Sequence, residues 1–477
     1  MSISSARRRL GIAAAGALVA AAFLAVPTAA DARQPSSVYH DPSPSQVARY
    51  VAANADTPYQ GWSSWSLQST HAAGVNPQGD YSWLTADHVL AQGAAMAKTL
   101  KPHGYDYINI DAGWWRQWDW TPEYDQYGRP AVDPARFPNG IASVVRTLHS
   151  EGLKVGIYMP VGLEKGAYDN GNFPIYGTTN CTTHDIVYPD LRTTNGWDSS
   201  YKIDFSQPCA QYYYDSIAHE FAQWGIDFLK LDGVGPGSNK SGVNYDNTSD
   251  VQAWATALAG SGRRIHFELS WSLDHNEIAT WQRWSNGWRV DTDVECYCNT
   301  LTSWSRSVKQ RFTDVLNWTS DAGRGGWNDL DSLDVGNGAM DGLTDAERQT
   351  YMTLWSIEAA PLYTGDDLTN LDSYGKSLLT NDEVIAIDQA GVPARPLSTS
   401  SPQQVWSAKL HDGSYVVALF NLDSSPATVT ADLGDLGIDR VQSARDVWQH
   451  ASVHTTSDSI TEDLPAHGSA LFRIRGR

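Results

Sequence analysis

The chain has 477 residues, enough for a barrel-sized domain plus a smaller one, and 41% of them are hydrophobic, so a disordered chain is excluded. Asp and Glu outnumber Lys and Arg 54 to 34, a formal net charge of −20, which repels nucleic-acid phosphates and anionic lipid surfaces alike. The 20 Trp and 22 Tyr suit stacking on sugar C–H faces as well as core packing.

Residues 1–32 read as a signal peptide. Arg7, Arg8 and Arg9 form a basic start, Leu10 to Val26 is apolar, and Ala30-Asp31-Ala32 fits a small-x-small cleavage site ahead of Arg33. The expectation is secretion to the extracellular side, and the adjacent arginines permit twin-arginine export. No later stretch is long and apolar enough to span a membrane. Residues 33–56 are a polar lead-in.

From 57 to 384 short apolar runs alternate with helical patterns. Strands are expected at Gly61–Trp65, Tyr105–Ile110, Lys154–Tyr158, Asp227–Asp232, Arg264–Leu269, Trp288–Asp293, Gly326–Asp331 and Pro361–Gly365. Helices are expected between them, among them Ile141–Glu151, Gln211–Gly225 and Asp345–Ala359. Eight strands alternating with helices predict a (β/α)₈ TIM barrel. Residues 385–477 carry short β-rich runs (Val405–Ser407, Tyr415–Leu422, Ala427–Asp432, Ala470–Ile474) and predict a C-terminal antiparallel β-sandwich domain.

Four cysteines in an exported chain are expected to pair. Cys181–Cys209 closes a loop of reasonable size, and Cys296 and Cys298 can bond only as a tight local ring. Three connectivities are open and the sequence does not choose among them.

Several strands end in an acid where the apolar run stops, which in a parallel barrel is the active-site face. Alternation aims Lys230 and Asp232 inward together on the fourth strand. By the same parity Arg289, Asp291 and Asp293 share a face on the sixth, Asn109 and Asp111 on the second, and Trp327, Asp329 and Asp331 on the seventh. Such a set serves a glycosidase pair, a divalent-metal site or mere capping, and the shortage of inward His weighs against metal. Lys230 beside Asp232 favours an ionised nucleophile, while Asp291 and Glu295 near Asp293 oppose its ionisation, as a proton donor needs. Glu268 on the fifth strand is the competing inward acid.

The motifs resemble glycoside hydrolase family 27, the melibiase-type α-galactosidases, from about Thr57 to Gln389. Thr57 to Trp65 is similar to T-P-P-M-G-W-N-S-W, and Asp133 to Gly140 with Gly152 to Tyr158 resembles D-P-x-R-F-P-x-G…G-L-K-x-G-I-Y. Trp224 to Asp232 is close to W-G-x-D-Y-L-K-Y-D, and Gly325 to Gly338 resembles G-G-W-N-D-P-D-M-L-x-x-G-N-G. The resemblance implies a retaining exo-glycosidase, with Asp232 as nucleophile and Asp293 as acid/base. It also implies no metal or other cofactor and a carbohydrate partner. Trp65, Asp111, Tyr158, Lys230, Arg289 and Asp331 match positions lining the sugar subsite.

Two departures touch the sugar. The family's Asp-Asp pair after the second strand, which grips the 4- and 6-hydroxyls, reads Asp111-Ala112. Ser270 stands where the usual C-E-W-P-L carries Glu and opens space near the 2-position, though Leu273 keeps the galactosidase pattern. α-Galactosidase is the leading expectation. An isomalto-dextranase-like α-1,6-glucan hydrolase, a β-L-arabinopyranosidase, an α-N-acetylgalactosaminidase and a non-catalytic carbohydrate-binding protein are the alternatives. The C-terminal domain is expected to brace the barrel.

Overall fold

Eight short parallel strands build the first, larger part of the chain: β1 (Gln60–Ser63), β2 (Tyr107–Ile110), β3 (Lys154–Pro160), β4 (Phe228–Asp232), β5 (His266–Leu269), β6 (Gly287–Arg289), β7 (Trp327–Asp329) and β8 (Leu362–Thr364). They pair in the order 7-6-5-4-3-2-1-8, every ladder parallel. Between β7 and β8 the seam is bridged by Leu333 N–H on Tyr363 O at 2.8 Å. The computed structural model describes residues 39, 42–76, 82–237, 239–453 and 458–476. Residues 1–32, expected from the sequence to be a signal peptide, lie outside the described residues.

All eight expected barrel strands are present, with ends shifted by up to four residues: most are trimmed, β3 runs on to Pro160, and β1 and β6 start one residue early. The TIM-like barrel followed by an antiparallel domain is therefore borne out. Local chemistry explains the helices around it. Asp345–Ile357 starts in a capping box, in which Thr344 Oγ1 accepts from Glu347 N and Glu347 Oε2 accepts from Thr344 N. Ala210–Trp224 stops at Gly225, whose φ of +88° suits a residue without Cβ. At Gly287 a Cβ would meet the Glu268 carboxylate at 2.1 Å, so any larger residue there would force that buried side chain to move.

Residues 33–56, read as a polar lead-in, contain a helix, Pro44–Ala52, that buries Val47 and Val51. It is tied to the chain just before β5, where Ile265 N donates to Tyr50 Oη at 2.8 Å and Asn54 Nδ2 donates to Ile265 O at 3.2 Å.

The C-terminal sandwich comprises β9 (Arg395–Pro396), β10 (Gln403–Lys409), β11 (Tyr415–Asn421), β12 (Ala427–Asp432), β13 (Val441–Asp446), β14 (Ala451–Val453), β15 (Ser459–Leu464) and β16 (Ser469–Gly476). One sheet runs 9-10-11-16-13-14 and the other pairs β12 with β15, all antiparallel. β13 and β15 carry little apolar alternation, which is why the sequence did not announce them. The helix Asp382–Asp388 straddles the boundary placed at 384/385.

β11 is buried along its whole length because its two faces serve two cores. Tyr415, Val417 and Leu419 pack inside the sandwich, while Val416, Ala418 and Phe420 join the barrel's core together with Trp406 and Leu471. Polar contacts reinforce the joint: Gln349 Nε2 donates to Ser469 O at 2.8 Å, and Trp448 Nε1 donates to Thr353 Oγ1 at 3.1 Å.

Candidate active site

A cavity of about 190 Å³ is formed where the barrel strands end, lined by Trp65, Asp111, Ala112, Tyr158, Lys230, Asp232 and Asp293. Its rim is aromatic: Trp115, Trp120, Trp197 and Trp271 complete it together with Arg116. Trp197 meets Trp271 edge-on at 5.9 Å, and Trp115 stacks on Tyr158 at 5.9 Å. Rings arranged this way offer apolar faces to a sugar.

Asp232 is the last residue of β4, and its Oδ1 accepts from Gly233 N at 2.9 Å. Tyr158 on neighbouring β3 lies close by, and its burial together with the Asp232 carboxylate pushes the phenol well above its usual pKa. Two residues earlier, Lys230 shares the inward face and lies 2.9 Å from Asp111 Oδ2. Burial alone would make Lys230 easier to deprotonate, but the Asp111 and Asp232 carboxylates outweigh it and hold its pKa above the usual lysine value. Asp111 is held from several sides. Oδ2 accepts from Ser63 Oγ and Asn109 Nδ2 as well as Lys230, and Oδ1 accepts from Ala112 N at 2.8 Å.

Asp293 lies four residues beyond the end of β6 and is 4% exposed. Arg289 Nη2 donates to its Oδ1 at 2.8 Å, and Tyr297 Oη donates to its Oδ2. Burial raises its pKa above the ordinary aspartate value. Arg289 pulls the other way, and Asp331 adds to the rise. The two carboxyls of one cavity thus differ in kind: Asp232 faces a fixed ammonium, and Asp293 holds its proton more tightly than a free aspartate.

The structure corrects part of the expected set. Asp291 does not share the inward face with Asp293: parity fails once β6 ends at Arg289, and Asp291 turns out to pair with Arg311 at 2.8 Å. Ser270, Arg289 and Asp331 were expected to line the sugar subsite, yet they lie beneath the cavity lining. There Arg289, 1% exposed, contacts Ser270 Oγ, Asp293 and Asp331 at once. Val294 N and Tyr363 Oη donate to Asp331, each at 2.8 Å. Glu268 also stays below, with Oε2 3.0 Å from His266 Nε2, and burial raises its pKa far above the usual glutamate value.

Asp293, Glu295 and Asp331 bring carboxylate oxygens within 4.8 Å of one another, the one such cluster of metal-type ligands among the described residues. The Arg289 guanidinium already sits on Asp293 and Asp331, and Ser66 Oγ donates to Glu295 at 2.6 Å. A protein cation stands where a metal would have to go, so the donor set does not fit a divalent ion.

Both disulfides form, Cys181–Cys209 and Cys296–Cys298, and so the structure chooses one of the three connectivities. Sequence reasoning missed Tyr297 and the rim residues Trp115, Trp120 and Trp197. The tyrosine between two cysteines, and the Trp114-Trp115 pair just after Asp111, were the available signals.

Residues 57–196 and 197–390 match the family model described as Alpha galactosidase A, and residues 400–474 match that of the alpha galactosidase C-terminal beta sandwich domain. The chain belongs to glycoside hydrolase family 27. It is a glycoside hydrolase of that family. The α-galactosidase of Coffea arabica is 31% identical over 428 residues, covering 87% of this chain and 93% of that protein. That of Cyamopsis tetragonoloba is 29% identical over 445 residues, 90% of each chain. Among solved structures, a family 27 β-L-arabinopyranosidase from Geobacillus stearothermophilus superposes with a TM-score of 0.78 at 29% identity, covering 89% of this chain and 98% of that one. α-Galactosidase I from Mortierella vinacea gives 0.69 at 28% identity, with coverage of 89% and 98%. Within this family member, Ala112 lines the cavity whereas Ser270 lies beneath it on Arg289.

Proposed function

We propose that the protein is a secreted retaining exo-glycosidase that releases terminal α-D-galactose by double displacement. Asp232 attacks the anomeric carbon while Asp293 protonates the leaving oxygen, and Asp293 then takes a proton from the incoming water. The observation that carries this reading is the pairing in one small cavity of Asp232 beside the Lys230 ammonium with Asp293 kept above its ordinary pKa. One acid lies beside a fixed cation and the other holds its proton more tightly than a free aspartate, an asymmetry that suits the division of labour in a retaining glycosidase. Trp65 and Tyr158 supply apolar faces, and Asp111, aligned by Lys230, accepts from sugar hydroxyls.

A second reading rests on Ala112. β-L-Arabinopyranose has the galactopyranose ring without its hydroxymethyl group, so the same machinery serves both sugars. A methyl where the family places a second carboxylate removes one acceptor, worth about 1.5–3 kcal/mol for a hydrogen bond to a charged group. The likeness to the Geobacillus stearothermophilus β-L-arabinopyranosidase supports this reading.

Secretion is supported by the N-terminal apolar stretch and by two disulfides, which persist in oxidising compartments. Extracellular protein beginning at Arg33 would bear it out, and retention in the cell with an intact N-terminus would not.

The test is the initial rate on p-nitrophenyl α-galactoside, β-L-arabinopyranoside, α-N-acetylgalactosaminide and α-glucoside, with α-1,6-glucan alongside and Asp232→Ala as control. Best turnover of α-galactoside with a dead mutant supports the first reading, and best turnover of the arabinopyranoside the second. If another sugar wins, the mechanism survives and both sugar assignments fail. Sugar binding by a folded protein that turns over nothing would instead mark a carbohydrate-binding protein.

A further inference from the structure

The Cys296–Cys298 disulfide spans a sequence separation of 2, so its ring contains a single intervening residue, Tyr297. Tyr297 sits at φ +52°, a backbone region that a tyrosine rarely occupies unless the surroundings hold it there. The ring is fastened at both ends. Cys296 N donates to Leu301 O at 2.9 Å, and His71 N donates to Cys298 O at 2.7 Å. The second tie comes from the segment just after the short helix Trp65–Ser69 that carries the cavity wall Trp65.

From this position the Tyr297 hydroxyl donates to Asp293 Oδ2 and accepts from Trp65 Nε1 at 3.2 Å. Asp293 Oδ1 meanwhile accepts from Arg289, which stays charged at any working pH. An oxygen bonded to a permanent cation is the poorer place for a proton, so the proton that Asp293 gives up belongs on Oδ2. Tyr297 therefore touches the oxygen that matters. The other charged or titratable groups around Asp293 are Arg289, Lys230, Asp331, Asp232 and Glu295.

We propose that Tyr297, held by the Cys296–Cys298 ring, is a positioning residue that orients Asp293 and tunes how readily it releases its proton. This rests on the reading of Asp293 as the acid/base. A phenol donating to Oδ2 stabilises the carboxylate more than the acid, so its loss makes Asp293 a weaker acid. The ring fixes where the phenol points before substrate arrives, so opening it loosens the same contact without removing the hydroxyl.

The experiment compares wild type, Tyr297→Phe, Cys296→Ala/Cys298→Ala and Asp293→Asn. The substrates are two aryl glycosides of the sugar turned over best, one with 2,4-dinitrophenol and one with phenol as leaving group. In Tyr297→Phe the alkaline limb of kcat/KM, which reports loss of the protonated acid, moves up by about one pH unit. Turnover of the phenyl glycoside falls by about tenfold while the dinitrophenyl glycoside, which needs little protonation, is nearly unaffected. The double cysteine variant shifts the same way by less. Wild-type pH profiles and leaving-group dependence in both variants, with Asp293→Asn still crippled on the phenyl glycoside, overturn the role of Tyr297 alone. Full activity of Asp293→Asn on the phenyl glycoside overturns the acid/base assignment and this inference with it.

Discussion

Lys230 Nζ lies 2.9 Å from Asp111 Oδ2, and this buried pair ties β4 to β2 at the floor of the cavity. Both charges are largely withdrawn from bulk solvent, Asp111 being 1% exposed and Lys230 9%. Lys230→Met leaves the Asp111 carboxylate buried without its cation. The expected cost is about 3–5 kcal/mol of stability, together with a loss of kcat/KM as Asp232 loses its counter-charge. Urea unfolding and steady-state kinetics on the same variant check both. A variant as stable and as active as wild type would mean that the pair is incidental.

Ala112 is the position at which the sugar choice is to be read. Ala112→Asp restores the family's second carboxylate in a residue that already lines the cavity. The ratio of α-galactoside to β-L-arabinopyranoside kcat/KM is expected to rise by about tenfold or more, the worth of one hydrogen bond to a charged group. An unchanged ratio would show that the hydroxymethyl group of galactose does not reach this side chain.

Glu295 should make stability depend on pH. It is 1% exposed, and burial first, then the Asp331 and Asp293 carboxylates, push its pKa up to about 8. Between the ordinary glutamate value of 4.5 and about 8 the folded protein keeps this proton while the unfolded chain has lost it. The native state then binds more protons, so this residue makes stability fall as pH rises through that window and adds no further change above it. Glu295→Gln keeps the shape and carries no proton to lose. Its melting temperature is expected to exceed that of wild type at pH 7 and to match it near pH 4. Equal melting temperatures at both pH values would put the Glu295 carboxyl in its ordinary range.

The sandwich shares the barrel's core through Trp406, which is 0% exposed, and Phe312 of the barrel packs against it at 5.9 Å. Trp406→Ala should therefore cost about 3–5 kcal/mol and lower thermal stability of the barrel and sandwich in a single transition. Calorimetry showing two separate transitions, only one of them shifted, would mean that the sandwich melts independently.

Strand positions were readable because parallel strands buried on both faces are short apolar runs, and eight of them alternating with helices leave few topologies open. Lys230 and Asp232 fell on one face because they sit within β4, where side-chain alternation holds. Asp291 did not obey the same rule, since it lies past the last residue of β6 and loop geometry takes over there. Trp115, Trp120 and Trp197 come from loops whose paths no periodicity encodes.

The sequence by itself determined the barrel-plus-sandwich architecture, the family resemblance, the inward Lys230–Asp232 pair and the Ala112 departure, because each is written in residues close together along the chain. The tertiary structure decided the rest. It placed Arg289, Ser270 and Asp331 under the cavity rather than in it, chose the disulfide pairing, and brought Tyr297 onto Asp293 and Trp65. Most of those relations join segments tens to hundreds of residues apart, and the two local ones, Cys296–Cys298 and Tyr297–Asp293, lie in a loop past the end of β6. In both cases the path of the side chain is fixed by packing, which local pattern does not carry.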